Sequence, residues 1–332
     1  MNLFVVGLRR SGTTIVYDAL GEDPQLTRFY EHLREEDETI GGGSGATAED
    51  VFADTRAQRD RFRAERFPQL PIELFNWGGP RLPEVELEPQ LPPHCRELLV
   101  HLVELDGAVA IKETRLHHKL QELCVVDPGA AVVHVVRDPR AVSASMLLGR
   151  RRRTDVYPDA DAFFTKRTGR RLWSSRAISD ELILRGRAPD LPVDIPDFLR
   201  PLLVWRAATT RTATDGKQLF GDRYALLRLE DLRADPQGGM ARIYELLGRA
   251  LPAEVGAWAA DHIRREADVY LGDDPRWARA MRLLQMEDAL ALAGYDDILD
   301  LDDGHPLDLA PPPAESRLSG ILGRARRRLG DG

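Results

Sequence analysis

The chain has 332 residues, 43% hydrophobic and 30% charged, with a formal net charge of −8 and a sequence pI near 5.6. That length suffices for one elaborated domain or two, and the acidic balance excludes a general nucleic-acid binder, whose footprint is a basic face. Two cysteines, Cys95 and Cys124, supply neither a disulfide framework nor a Cys-rich metal site and suit a reducing compartment.

The first apolar run, Leu3 to Val6, is too short for a signal-peptide core or a membrane span, and no basic residue precedes it. A cytoplasmic protein is expected. The run reads as a strand buried on both faces. It leads into Gly7-Leu8-Arg9-Arg10-Ser11-Gly12-Thr13-Thr14 and a helical pattern from Thr13 to Leu20. A glycine-bearing turn from strand to helix offers several backbone N–H groups, and the helix dipole there favours an anion. The interval from Gly7 to Gly12 is that of a Walker loop, yet Thr13 stands where an ATPase has its phosphate-binding lysine. A triphosphate donor is therefore disfavoured, and the cation within the loop is Arg10, whose fork of donors suits a phosphosulfate.

Residues 38–95 hold Gly41-Gly42-Gly43-Ser44-Gly45 and many prolines, and loops or a lid are expected there. Strands follow over Ala108 to Ile111 and Ala131 to Val136. The latter runs into Arg137-Asp138-Pro139-Arg140, in which Asp138 can cap and Pro139 can start a helix reaching Leu148. Ser145 lies eight residues past Arg137, about two turns along, so the two can hold one anion between strand end and helix face. Residues 150–200 read as a second, polar insertion that includes Phe163, Phe164 and Trp173, and Arg150 to Arg153 at its start read as a solvated charge cluster. Helical patterns occupy Leu199 to Ala213, Met240 to Leu247 and Arg276 to Ala293, with a strand over Tyr224 to Leu229. Strands alternating with helices give an α/β fold, a parallel sheet flanked by helices. One domain over 1–300 is expected, with Pro311-Pro312-Pro313 separating it from a basic tail, Arg317 to Leu329.

The run Arg10-Ser11-Gly12-Thr13-Thr14 resembles the 5′-phosphosulfate-binding loop of the sulfotransferases that use 3′-phosphoadenosine 5′-phosphosulfate (PAPS). It is nearer the tyrosylprotein, carbohydrate and bacterial branches than the cytosolic one, which has Lys at Arg10. Arg137 with Ser145 resembles that family's 3′-phosphate motif. The resemblance covers residues 2–31, 108–149 and 224–296. It implies a P-loop-like sulfotransferase fold, PAPS as donor with no metal, and donor contacts from Arg9, Arg10, Ser11, Gly12, Thr13, Thr14, Arg137 and Ser145. On that reading Arg10 and Arg137 must face one nucleotide-sized site.

Sulfuryl transfer needs a base for the acceptor proton and cations for the developing charge. The family resemblance puts the base at Glu31, after Asp23-Pro24, and assigns Lys112 and Arg10 to the transferring group. His32, Glu113, His117 and His118 are rival bases, and the acidic run from Glu35 to Glu38 gives Glu31 an alternative reading as part of a solvated face. At Leu229 the family has a tyrosine that packs on adenine, so adenine contacts here are left open. Arg276 reads as a surface arginine with a late cofactor contact as the alternative. The acceptor, shaped by the insertions 38–105 and 150–200, is a metabolite, glycan or phenol. The arginine bias, with only Lys112, Lys119, Lys166 and Lys217 as lysines, points to a bacterial biosynthetic setting. No nucleic-acid partner and no stable membrane insertion are expected, and a homodimer is compatible with the sequence. The competing readings are a P-loop kinase using ATP with magnesium and a non-catalytic nucleotide-binding protein on the same fold.

Overall fold

The computed structural model describes residues 1–33, 48–71, 83–149, 155–170, 172, 174–264, 269–307 and 309, without the side chains of 48–56, 83 and 84. The acidic run 35–38, the glycine run 41–45, Phe75, Trp77, Arg150 to Arg153, Trp173 and the tail beyond 310 lie outside the described residues.

Five parallel strands form one sheet: β1 (Leu3–Val6), β2 (Leu26–Tyr30), β3 (Ala108–Glu113), β4 (Ala131–Val136) and β5 (Tyr224–Arg228), in the order β2-β3-β1-β4-β5. Successive side chains of a strand point to opposite faces, and the apolar runs satisfy both. Leu3 and Val5 join one core with Val16, Leu227 and Met240, whereas Phe4 and Val6 join another with Leu98, Ile111 and Val132. The helices are α1 (Thr13–Leu20), α2 (Ala48–Arg66), α3 (Pro83–Leu87), α4 (Pro93–Val103), α5 (Leu120–Val126), α6 (Pro139–Leu148) and α7 (Ala160–Thr165). They continue with α8 (Ser175–Leu184), α9 (Leu199–Phe220), α10 (Leu229–Ala234), α11 (Pro236–Leu246), α12 (Ala253–His262), α13 (Arg276–Leu283) and α14 (Glu287–Ala293). Through the two cores α1, α10, α11 and α12 cover one face of the sheet, and α4 and α5 cover the other. Both faces are thus sealed, as an all-parallel sheet requires.

Several expectations are corrected. The stretch 38–95 contains helices α2 and α3 and the start of α4, because the apolar residues that fix them, such as Phe62, Leu87 and Cys95, are spaced among charges and prolines. The second insertion is not polar where it matters. Phe163 and Phe164 of α7 pack edge-on against Trp277, with ring centroids 5.6 and 5.2 Å away, and Phe164 meets Phe198 at 4.9 Å. Averaging composition over the span hid these anchors of a third core, between α6, α9 and α13. The single helix expected from Arg276 to Ala293 is two. Gln285 takes φ 51° and the Met286 N–H bonds the Met281 carbonyl at 3.0 Å, a left-handed stop made without glycine. β3 runs two residues beyond Ile111 because Lys112 and Glu113 find partners within the protein. β2 was not expected, since it is an edge strand in which Thr27 is exposed and Arg28 half-buried.

All strands point the same way, so their C-terminal ends share one edge. There the chain places Glu31 after β2, Lys112 within the end of β3, the loop 7–12 after β1, Arg137 after β4, and Leu229 after β5. The sheet also reverses its winding direction around β1, and the crevice at such a point is where open α/β sheets bind ligands.

Candidate active site

The loop 7–12 is shaped by close packing at Gly7 and Gly12 that leaves no room for a side chain. A Cβ on Gly7 would overlap the Val135 carbonyl oxygen and come within 2.9 Å of Thr13 Cγ2. Gly12, at φ 94°, has the Leu229 side chain 2.7 Å from where its Cβ would stand. Arg10 takes φ 73°, an uncommon conformation for a residue with a side chain, which costs about 1–2 kcal/mol. In return its peptide is turned so that its carbonyl accepts from Arg137 Nη1 at 3.1 Å, and its Nε donates to Ser145 Oγ at 2.8 Å. The structure therefore brings Arg10, Arg137 and Ser145 to one place, although 127 residues separate the two arginines.

The backbone around Arg137 is fixed from several sides. Asp138 caps α6 by accepting from the Arg140 N–H at 2.8 Å, its own N–H donates to Glu230 Oε1 at 3.1 Å, and buried Trp205 donates from Nε1 to the Arg137 carbonyl at 3.0 Å. Burial first, then the nearby Arg233 and Arg10 guanidinium groups, pull Arg137 down to about 10, with Glu230 and Asp138 opposing them. Arg233 lies one turn beyond Glu230, hence on the same face of α10. Like charges held this close, and partly out of water, mark a place where an anion is favoured.

A second cluster sits at the ends of β2 and β3. Glu31 takes φ 40°, and its N–H bonds the Lys112 carbonyl at 2.8 Å. Its carboxylate Oε1 accepts from Lys112 Nζ and, at 3.2 Å, from Thr114 Oγ1. The Lys112 ammonium also lies 3.9 Å above the Tyr30 ring, and the Tyr30 hydroxyl is 3.1 Å from Thr14 Oγ1 in the first turn of α1. Lys112 is 1% exposed, so it is no ordinary surface lysine. Burial disfavours its charge, but Glu31 and Tyr30 outweigh burial and hold its pKa above the ordinary value. Glu31 keeps 11% of its side chain accessible.

The rival bases are differently placed. His32 is buried, and burial with help from Arg59 lowers it to about 3. Its Nδ1 lies 3.3 Å from Glu113 Oε1, which also accepts from the Leu33 N–H at 3.1 Å. Glu113 is buried as well, and burial together with Glu31 raises it to about 8. Burial lowers both His117 and His118, the latter to about 3. Three of the four are buried, and all four histidine and carboxyl groups favour the uncharged form.

Among the other predicted contacts, Ser11 and Thr13 are buried in the loop, and Thr14 faces Tyr30. Arg9 turns away from Arg10 and forms a buried, forked ion pair with Glu86. Leu229 is buried beneath Gly12, so it supports the loop and offers no face to a base. Arg276 is engaged with Asp274 and Asp161 and lies over Phe164. Glu230, Arg233, Tyr30 and Glu86 were missed by sequence reasoning, because only the fold brings them beside the two motifs. Arg233 had one usable signal, its place four residues after Leu229 on a short helix. Among the described residues no group of three or more His, Cys, Asp or Glu is arranged to hold a metal, and no helix is long and apolar enough to cross a membrane.

A glycine-bearing strand-to-helix loop and a strand-end arginine with a helix serine thus meet at the C-terminal edge of a parallel α/β sheet. A family model described as the sulfotransferase family matches residues 2–177, and the chain belongs to that family. No curated protein matches it. Solved structures similar to it include sulfotransferase STF1 from Mycobacterium tuberculosis H37Rv, 18% identical with TM-score 0.42 over 88% of this chain and 76% of that one. A sulfotransferase from Alicyclobacillus acidocaldarius is 16% identical with TM-score 0.41, over 90% and 95%. The sulfotransferase domain from the curacin biosynthetic pathway is 14% identical with TM-score 0.44, over 97% of each chain.

Proposed function

We propose that this sulfotransferase uses PAPS as donor and transfers its sulfuryl group to an acceptor hydroxyl, with Glu31 as the base. The observation that carries the reading is the junction of Arg10 with Arg137 and Ser145. An ordinary nucleoside triphosphate carries no 3′-phosphate for Arg137 and Ser145 to hold, so their presence beside the loop favours a doubly phosphorylated adenosine. The residues fit such a donor: loop N–H groups and Arg10 for the 5′ end, Arg137, Ser145 and Arg233 for the 3′ end.

The bound donor supplies a sulfuryl group on a phosphate leaving group. In the transfer the acceptor oxygen forms a bond to sulfur, the bond from sulfur to the bridging phosphate oxygen breaks, and the hydroxyl proton passes to Glu31. Lys112 pairs with that carboxylate, and its charge balances that of the departing phosphate as the proton arrives. Thr114 orients the same carboxylate oxygen, and Tyr30 links this pair to α1 through Thr14. The acceptor is a small hydroxyl compound or glycan, and its class is read from the turnover experiment below.

Isothermal titration with 3′,5′-adenosine bisphosphate, and separately with ATP and magnesium, tests the donor. Preference for the bisphosphate is expected, and preference for ATP would move the chain to the kinase reading. With labelled PAPS and a panel of sugars, phenols and secondary alcohols, Glu31→Gln should lose about 100- to 10,000-fold in turnover, the usual contribution of a positioned base. Full turnover in that variant removes Glu31 from the role, and no turnover by the unmodified protein on any acceptor favours a non-catalytic binder.

A further inference from the structure

We propose that Glu86, in the first insertion, is a positioning residue for the phosphate loop and couples both insertions to donor affinity through Arg9. The proposal rests on the donor reading above. Glu86 is 0% exposed, and its two oxygens accept three hydrogen bonds from the Arg9 guanidinium, at 2.8, 2.7 and 2.6 Å. Arg9 Nη2 also lies 3.4 Å from Ser174 Oγ, at the start of α8 in the second insertion. One loop arginine therefore touches both insertions.

Glu86 itself is rigidly seated. Lys119 Nζ donates to the Val85 carbonyl at 2.7 Å and to the Glu88 carbonyl, gripping α3 on both sides of Glu86. Arg185 of the α8 end donates to Glu88 Oε1 at 2.6 Å, and His117 Nε2 stands 3.7 Å from Glu86 Oε1. The carboxylate is thus a fixed point built by α3, the segment after β3 and α8.

What this fixed point holds is the residue before the strained one. Arg10 at φ 73° persists only if its neighbours over-determine it. On one side, Gly12 is packed against Leu229. On the other, the forked pair pins Arg9, and with it the Arg9–Arg10 peptide, from which Arg10 turns its carbonyl to Arg137 and its side chain to Ser145. Without Glu86, Arg10 is free to relax towards ordinary φ and its cationic fork leaves the anion site.

The pair makes a signed prediction. If Arg9 were a donor ligand restrained by Glu86, Glu86→Gln would release a positive charge and tighten binding of 3′,5′-adenosine bisphosphate. As a positioning residue, Glu86→Gln should instead weaken that binding at least tenfold by isothermal titration, in protein shown to be folded by its melting curve. Because loss of one partner from a buried pair is strongly destabilising, the double variant Arg9→Met/Glu86→Leu is measured beside it. Apolar replacement of a whole buried pair is often neutral for stability, so the double variant should melt near the unmodified protein and still bind at least tenfold more weakly. Unchanged or tighter binding in either folded variant overturns the inference, as does a melting shift with no change in affinity. Failure of the unmodified protein to bind the bisphosphate at all would instead defeat the donor reading.

Discussion

Glu113→Gln should stabilise the protein in mild alkali and leave it little changed in acid. The Glu113 carboxyl ends β3, and burial first and the Glu31 charge second raise it from 4.5 to about 8, against the Leu33 N–H, Lys112 and Arg115. Unfolded, it titrates near the lower value, so between those limits the folded protein holds a proton that the unfolded chain has released. Stability from this group is complete below 4.5 and is lost as pH rises through about 8. Each pH unit in that window costs about 1.4 kcal/mol, which sets an upper bound on the order of 5 kcal/mol by the alkaline end. Glutamine keeps the size and an oxygen for the Leu33 N–H, and it has no proton to lose. Urea unfolding of both proteins, followed by tryptophan fluorescence from about pH 5 to about pH 9, reads the difference. His32, Glu31, Lys112, Arg115 and Cys95 surround the site in both proteins, so their direct titration largely cancels in the comparison. A midpoint difference equal at the two ends, or larger in acid, would refute the reasoning.

Arg137→Met should weaken 3′,5′-adenosine bisphosphate binding by about 10- to 150-fold, the range for losing hydrogen bonds to a charged group. The salt dependence of the remaining affinity should fall as well, both read by titration at two ionic strengths. Gly7→Ala forces a methyl group into the Val135 carbonyl and should cost about 1–3 kcal/mol of stability, seen as a lower melting temperature. The same shift between β1 and β4 should weaken bisphosphate binding.

The sheet was legible where strands are central. Leu3 to Val6 and Ala131 to Val136 are buried on both faces, so continuous apolar runs announce them. β2 escaped because an edge strand mixes exposed Thr27 and half-buried Arg28 with buried Phe29. The last two residues of β3 escaped because a lysine and a glutamate look like a strand exit until Glu31 and His32 are seen beside them. The stop at Gln285 carries no glycine or proline to mark it.

The site divides in the same manner. Gly7, Arg10 and Gly12 lie on one strand-turn-helix unit and Arg137 and Ser145 on another, so their local arrangement was legible as fixed intervals along the chain. The sequence by itself determined these two local strand-turn-helix units and the alternation that makes the sheet parallel, because both depend on spacings of a few residues. Only the tertiary structure decided that Arg10 meets Arg137 and Ser145, that Glu31 faces Lys112, and that the Arg9 side chain pairs with Glu86. Those pairings join residues 77 to 135 positions apart. Interval along the chain carries no information at that range, where strand order and the packing of the insertions choose which charges share a site.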